Sequence, residues 1–193
     1  MPPTEVVIVS GARTPMAEWI GGKRGDGRPG GALASVSAIE LGAVAVRGAL
    51  ARAGLPPGRI DHVVITGDIS NLALEAEFDR ARSVFARLGM APEQISIIPG
   101  NHDVYTRGAE RSRRFAQFFA PHISSDLPLN DSANHPSGPF PFVRLRDEVA
   151  IIGLSSAVAR LPILAHGHLG QRQLSALATA LAHPELARRT PVV

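Results

Sequence analysis

The sequence contains no cysteine, and its 193 residues include one tryptophan, one tyrosine and one lysine, Lys23. Without cysteine the chain can form no disulfide, no cysteine-ligated zinc site and no thiol nucleophile. It also contains no apolar run long enough to span a membrane. The first residues, "MPPTEVVIVSGARTP", have neither a basic lead nor a signal-type apolar run. We therefore predict a cytoplasmic protein without a membrane partner.

Apolar residues make up 45% of the chain, which suits a single globular domain of this length. The net charge is +3, and part of the positive charge lies in one run, "RGAERSRR" at 107–114. Such a run is either a solvated helix face or a patch that faces phosphate. No nucleic-acid motif or interleaved aromatic residue accompanies it, so we predict no nucleic-acid partner.

Short apolar strands alternate with amphipathic helices along the sequence. Ser37-x-x-Glu40 is a capping box that begins a helix, and Gly54 ends it. The pattern predicts a layered α/β fold whose first three strands are parallel. The predicted strands are 4–11, 61–66, 95–99, two within 140–155 joined at Arg146-Asp147-Glu148, and the final "TPVV"; the other predicted helices are 72–88, 108–119 and 171–182.

Two strands are followed by glycine and then by polar side chains. Gly67-Asp68 follows the strand at 61–66, and Gly100-Asn101-His102-Asp103 follows the strand at 95–99. Glycine permits a sharp turn after each strand. Because the carboxyl ends of parallel strands share one edge of the sheet, we predict that the two turns lie close together.

These side chains have the chemistry of a two-metal hydrolase. Asp68 offers two oxygens that can bridge cations, and Asn101 offers a neutral carbonyl oxygen. His102 can protonate a leaving oxygen, and Asp103 can orient the imidazole. Taken singly, a Gly-Asp pair is usually a turn or a helix cap, and a histidine is usually structural.

The segments "DHVVITGDISNLALEAEF" and "IIPGNHDVYT", with "FPFVRLRDEVAIIGLSSA" and "GHLGQRQLSALATAL", resemble the calcineurin-like metallophosphoesterases. The resemblance covers about 61–193. It implies a metallophosphoesterase-type α/β sheet, a divalent metal (Mn, Mg, Fe or Zn) and hydrolysis of a small phosphoester, a cyclic nucleotide or another phosphodiester. It also implies that Asp68 bridges the metals, that Asn101 is a ligand of the second metal and that His102 is catalytic. We group Asp103 with His102 as a catalytic residue because it can orient the imidazole.

The sequence departs from that family at three motifs. The family has an Asp-x-His turn after its first strand, later a histidine near proline, and then Gly-His-x-His. If the first strand ends align, Gly11 and Arg13 stand in the Asp-x-His positions. His166-Gly167-His168 has a different order, and we expect a solvated loop there, with a ligand pair as the alternative. We therefore expect one weakly held ion at best, and impaired hydrolysis.

The amino-terminal part resembles a second family. "TEVVIVSGARTP" and "SAIELGAVAVRGALARAGLPPGRIDHVVI" resemble the thiolases, the acetyl-CoA acetyltransferases, over about 4–65. Thiolases use a cysteine nucleophile, so this chain cannot perform that chemistry. We predict a thiolase-like βα segment at 1–60 and a partial, truncated phosphoesterase domain at 61–193 within one structural unit. The alternatives are a non-catalytic fusion or truncated fragment and, less favoured, an acyltransferase remnant.

Overall fold

The computed structural model describes residues 9–13, 36, 38–129, 139–159 and 166–193. The chain divides into two compact units with a boundary between Asp61 and His62. Within the described residues, no helix has the length and apolar character needed to cross a membrane. Helices and strands both occur, so the mixed α/β class predicted from the sequence is confirmed.

The amino-terminal unit contains one long helix, α1 (Ala38–Ala53). It ends as predicted, at Gly54, whose φ of 66° is a left-handed conformation that glycine adopts without a steric penalty. Within this unit, the Arg52 guanidinium donates a 2.8 Å hydrogen bond to the carbonyl of Gly11. Most of the strand predicted at 4–11 lies outside the described residues, and positions 9–11 are not in a strand.

The second unit begins with a parallel β-α-β arrangement. Strand β1 (Val63–Ile65), helix α2 (Glu75–Ala86) and strand β2 (Ile95–Ile97) follow one another. The two strands pair in parallel, with Val63 opposite Ile95 and Ile65 opposite Ile97. Buried aromatic and aliphatic side chains hold α2 and β2 to the segments that follow, among them Phe78, Ile95, Ile97, Phe115 and Phe119.

The helix predicted at 108–119 is two short helices, so that prediction is wrong. Helix α3 (Arg107–Arg111) and helix α4 (Arg114–Phe118) are separated by Arg113, whose φ is 52°. A left-handed residue cannot continue a right-handed helix, so the chain changes direction there. Thr106 caps α3 by accepting a hydrogen bond from the amide of Ala109.

A second sheet has the order β3-β4-β5. The two strands predicted within 140–155 are β3 (Phe142–Arg146) and β4 (Val149–Gly153), which pair antiparallel and are joined by a turn with Asp147 at a φ of 43°. Helix α5 (Gln171–Leu181) follows, and strand β5 (Thr190–Val192) pairs parallel to β4. This α-helix and final strand also match their predicted positions.

Two arginines of β3, Arg144 and Arg146, bond to residues outside their own sheet. Arg144 is 1% exposed, donates to the carbonyl of Pro121 at 2.7 Å and lies 3.5 Å from Asp126. The Arg146 Nε donates to Nδ1 of His62 at 3.2 Å, so the proton of the neutral imidazole is on Nε2, which is 2.9 Å from the Ser96 hydroxyl. Burial and the two arginine charges lower the pKa of His62 to about 4.

We predict that this histidine makes stability depend on pH. Unfolded chains protonate histidine near its ordinary pKa of 6.5, whereas folded His62 stays neutral down to about 4. The unfolded state therefore binds more protons between these values, and the free energy of unfolding falls as the pH is lowered through them. Urea unfolding at a series of pH values should show this slope, and His62→Gln should flatten it.

Burial also lowers the pKa of His122, so part of the slope should remain in the variant. Parallel pH curves for the wild type and His62→Gln would contradict the assignment.

The Asp103 carboxylate joins the segments that follow β1 and β2. It is fully buried and accepts hydrogen bonds from the amide of Gly100 at 3.0 Å and from the amide and hydroxyl of Ser70 at 2.9 and 2.8 Å. Burial raises the pKa of Asp103, and these donors act in the opposite direction. The carboxylate thus holds the two strand ends together.

Replacing this acceptor should destabilise the fold. Asp103→Asn places an amide NH₂ where donors already converge, and we expect the free energy of unfolding to fall by about 2 kcal/mol or more. Asp79→Asn is the matched control, since its exposed ion pair with Arg82 should change stability by less than about 0.5 kcal/mol. Equal urea midpoints for the two variants would refute the role given to Asp103.

Candidate functional site

The turns after β1 and β2 are in direct backbone contact, as the sequence predicts. Gly67 has a φ of 102°, and a Cβ placed on it would lie 2.2 Å from the amide nitrogen of Gly100. Any side chain at position 67 would therefore force the two turns apart. The glycine before Asp68 thus serves a close approach of two backbones as well as a sharp turn.

The carboxylate of Asp68, in the first turn, lies against the backbone of the second turn. Its φ is 55°, and its Oδ1 accepts a 3.2 Å hydrogen bond from the amide of His102. A Cβ on Gly100 would lie 2.1 Å from the same oxygen, so the carboxylate occupies the space that a side chain at position 100 would fill. The structure thereby brings Asp68 next to the turn that contains Asn101 and His102.

The imidazole of His102 is oriented by a main-chain carbonyl. Its Nδ1 lies 2.9 Å from the carbonyl oxygen of Asn71, and a carbonyl only accepts, so Nδ1 carries the proton. The ring stacks on Tyr105, with centroids 5.2 Å apart and an interplanar angle of 11°. In the neutral ring, Nε2 therefore carries the lone pair.

The expectation that Asp103 orients this imidazole requires correction. The Asp103 carboxylate accepts hydrogen bonds from the amides of Ile69, Ser70 and Gly100 and from the Ser70 hydroxyl. Its acceptors are used by the backbone because the carboxylate is buried beneath the turns. Asp103 is thus linked to His102 through the chain, while Asn71 makes the contact with the ring.

Glu77 shapes the segment that presents Asn71. Its carboxylate accepts hydrogen bonds from the amides of Asn71, Leu72 and Leu74 at 2.9–3.1 Å. The bond from Leu74 is the main cause of a lowered pKa for Glu77. Because these residues are held in a loop, α2 begins at Glu75 and not at position 72 as the sequence predicts.

Asn101 lines a small cleft of about 220 Å³ beside the turn. Thr66, Ser156 and the His166-Gly167 segment also line it. The amide of His168 donates to the carbonyl of Ser156 at 2.9 Å, and a Cβ on Gly167 would lie 2.8 Å from that oxygen. His166 and His168 are exposed, in agreement with a solvated loop, but the loop is fixed at the edge of the Asn101 cleft.

Asp68 and Asn101 are the two residues at these turns that offer oxygen donors to a cation. The Asp68 carboxylate is exposed, and carboxylate and amide oxygens are the ligands that Mg²⁺ and Mn²⁺ prefer. Within the described part of the chain, no group of three or more His, Asp or Glu side chains is arranged to hold a metal ion. The described residues therefore do not form a complete cage for two metals.

Sequence reasoning missed three contributors to this geometry. Asn71 acts through its main-chain carbonyl, and Ser156 through the backbone contact that fixes the histidine loop. Neither contact has a sequence signal, because each depends on how distant segments pack. Glu77 did have one, since a glutamate at the third position of a helix commonly accepts hydrogen bonds from amides at its start.

Curated proteins similar to this chain include three acetyl-CoA acetyltransferases. The protein of Schizosaccharomyces pombe is 30% identical over 178 residues, 83% of this chain and 40% of its own length. A mitochondrial protein of Aspergillus fumigatus is 36% identical over 93 residues, which are 48% of this chain and 19% of that protein. The protein of Cupriavidus necator is 44% identical over 62 residues, which are 32% of this chain and 13% of that protein. This chain therefore spans less than half the length of each of these relatives.

The family model for calcineurin-like phosphoesterase matches residues 42–181. The match begins within α1, ahead of the resemblance seen in the sequence, and it includes both glycine turns. It covers more than half of the chain and contains the residues whose geometry is described above. The chain therefore belongs to the calcineurin-like phosphoesterase family.

Proposed function

We propose that the chain is a metal-dependent phosphoester hydrolase of phosphodiesterase type, acting on a small molecule such as a cyclic nucleotide or another phosphodiester. The carrying observation is the direct contact of the two turns, which places the carboxylate of Asp68 against the segment of Asn101 and His102. Family membership supports the same reaction class. Asp103 contributes by holding the turns together.

In this proposal, Asp68 and Asn101 hold a divalent cation, with Mg²⁺ or Mn²⁺ favoured by their oxygen donors and Fe or Zn as alternatives. When bound, such a cation polarises a phosphoryl group and makes water more acidic. The Asp68 carboxylate would hold such a cation while its Oδ1 accepts from the amide of His102, because a carboxylate has lone pairs for both.

His102 is the proton donor to the leaving oxygen. Its Nδ1–H is committed to the carbonyl of Asn71, so Nε2 is the nitrogen that takes up a second proton and passes it to the leaving oxygen. Stacking on Tyr105 restricts rotation of the ring. The imidazole therefore has a fixed direction in which it can deliver a proton.

We further propose that hydrolysis is impaired. Two-metal phosphoesterases surround two cations with many ligands, whereas Asp68 and Asn101 provide donors for one weakly held ion. The acetyltransferase name of the relatives is not extended to this chain. Its 193 residues contain no cysteine for thiol-based acyl transfer.

Removing the charge of Asp68 should abolish both the stabilisation by metal and the metal-dependent hydrolysis. Mn²⁺ should raise the midpoint of thermal unfolding and support hydrolysis of bis(4-nitrophenyl) phosphate. Asp68→Asn should cancel the thermal shift and lower kcat/KM by about 100-fold or more. Asparagine accepts a positive φ readily, so the turn should keep its backbone.

Asp61→Asn is the control, because Asp61 is exposed and precedes β1, at the end away from the turn. Hydrolysis that persists in Asp68→Asn would disprove the assignment. A cooperative fold with neither metal response nor hydrolysis would favour a non-catalytic chain.

The reduction in hydrolysis rate caused by replacing His102 should depend on the leaving group of the substrate. His102→Gln should slow hydrolysis of an alkyl phosphodiester by about 100-fold, but that of a 4-nitrophenyl ester much less, because nitrophenolate leaves without protonation. His122→Gln is the matched control, since His122 Nδ1 also contacts a main-chain carbonyl, that of Pro92. Equal loss for both substrates in His102→Gln would argue against the proton-donor role.

A further inference from the structure

A single peptide group lies between the imidazole of His102 and a carboxylate of α2. The carbonyl of this peptide belongs to Asn71 and accepts from Nδ1 of His102 at 2.9 Å. Its N–H belongs to Leu72 and donates to Oε2 of Glu77 at 3.0 Å. The two hydrogen bonds are thus made by opposite ends of one planar unit. A rotation of this peptide moves both ends, so the two bonds depend on each other.

The hydrogen bonds of Glu77 go beyond what the start of a helix requires. Glu77 is the third residue of α2, and a glutamate there commonly accepts from the amide just before the helix, here that of Leu74 at 2.9 Å. Its carboxylate also accepts from the amides of Asn71 at 3.1 Å and Leu72 at 3.0 Å. Capping the helix explains the first of these bonds, and the other two hold the loop that faces His102.

A carboxylate at one end of the peptide strengthens the hydrogen bond at the other end. Bonds to an ionised group are stronger than neutral ones, and hydrogen bonds in a chain polarise one another. The charge of Glu77 beside the Leu72 N–H increases the negative charge on the Asn71 oxygen. That oxygen becomes a better acceptor for Nδ1–H, so the peptide transmits the orienting effect of an acid to the ring on its far side.

We propose that Glu77 is a positioning residue for His102 and acts through the Asn71–Leu72 peptide. It holds the carbonyl in place, so the ring proton stays on Nδ1 and Nε2 remains the nitrogen that serves the leaving oxygen. The acid that orients this imidazole is then Glu77 and not Asp103, whose oxygens are used by the turns. The consequence for catalysis rests on the proposed phosphoesterase function, whereas the proton position can be measured without a substrate.

NMR of the ring nitrogens tests the proton position directly in the full chain. At about pH 9, where histidine side chains are neutral, His102 should show a protonated Nδ1 and a bare Nε2. Glu77→Gln keeps the size of the side chain but removes its charge and one acceptor, and we expect a mixture of both tautomers. Glu77→Ala removes all three bonds and should shift the proton further toward Nε2. His102→Gln identifies the signals by removing them.

Glu75→Gln is the matched control. It removes the same charge by the same substitution in the same first turn of α2, but Glu75 is exposed and pairs with Arg114. Any effect of charge at the start of the helix is therefore shared by the two variants. The His102 signals should be unchanged in Glu75→Gln.

His122 is an internal control for a general loosening of the fold. Its Nδ1 also contacts a main-chain carbonyl, that of Pro92, on a different segment. Its ring signals should therefore be the same in the wild type and in Glu77→Gln. Thermal unfolding of each variant verifies that it is folded.

In hydrolysis, the effect of Glu77 should appear in kcat and depend on the leaving group. Glu77→Gln should lower kcat for an alkyl phosphodiester about tenfold, while KM and the hydrolysis of a 4-nitrophenyl ester change much less. The reason is that a misoriented ring transfers its proton poorly, while the oxygen donors of the site stay in place. Adding Glu77→Gln to His102→Gln should cause no further loss, because Glu77 acts through that ring.

An unchanged His102 tautomer in both Glu77 variants, or an equal change in Glu75→Gln or at His122, would overturn the inference. A loss in Glu77→Gln that is just as large in the His102→Gln background would also overturn it. A tautomer that depends on Glu77 in a chain without hydrolysis would retain the positioning role and refute the phosphoesterase proposal. Hydrolysis that depends on His102, with a tautomer that does not depend on Glu77, would refute the positioning role alone.

Discussion

The candidate site depends on one buried carboxylate. Two short parallel strands of three residues each cannot by themselves fix the loops that follow them, since each contributes few hydrogen bonds. Asp103 supplies the missing constraint by accepting from Ser70 on one side and from Gly100 on the other. Without it, the close approach of Gly67 to Gly100 and the contact of Asp68 with His102 would have no common anchor.

This arrangement explains why neighbouring residues have different duties. Asp103 is buried and holds the backbone, while His102 is partly exposed and contacts a main-chain carbonyl through Nδ1. In sequence the two look like a catalytic histidine and its orienting acid. In the structure the acid orders the turns, and the ring takes its direction from Asn71.

Much of the fold was predictable because its signals are local. The end of α1 at Gly54, the β3-β4 pair and the position of α5 follow from glycine placement and apolar periodicity. The proximity of the two turns followed from the parallel pairing of β1 and β2. The break at Arg113 was missed because an arginine in a left-handed conformation gives no compositional signal. The late start of α2 was missed because Glu77 draws three preceding amides into a loop.

The contact between His102 and the carbonyl of Asn71 has a further consequence for how this site can change over evolutionary time. A side-chain partner would be lost with a single codon change, but every residue type provides a main-chain carbonyl. The proton position on the ring is therefore insensitive to the identity of residue 71 and sensitive to the path of the loop. Substitutions that preserve the path of the loop can alter the surface around the histidine without changing which ring nitrogen carries the proton.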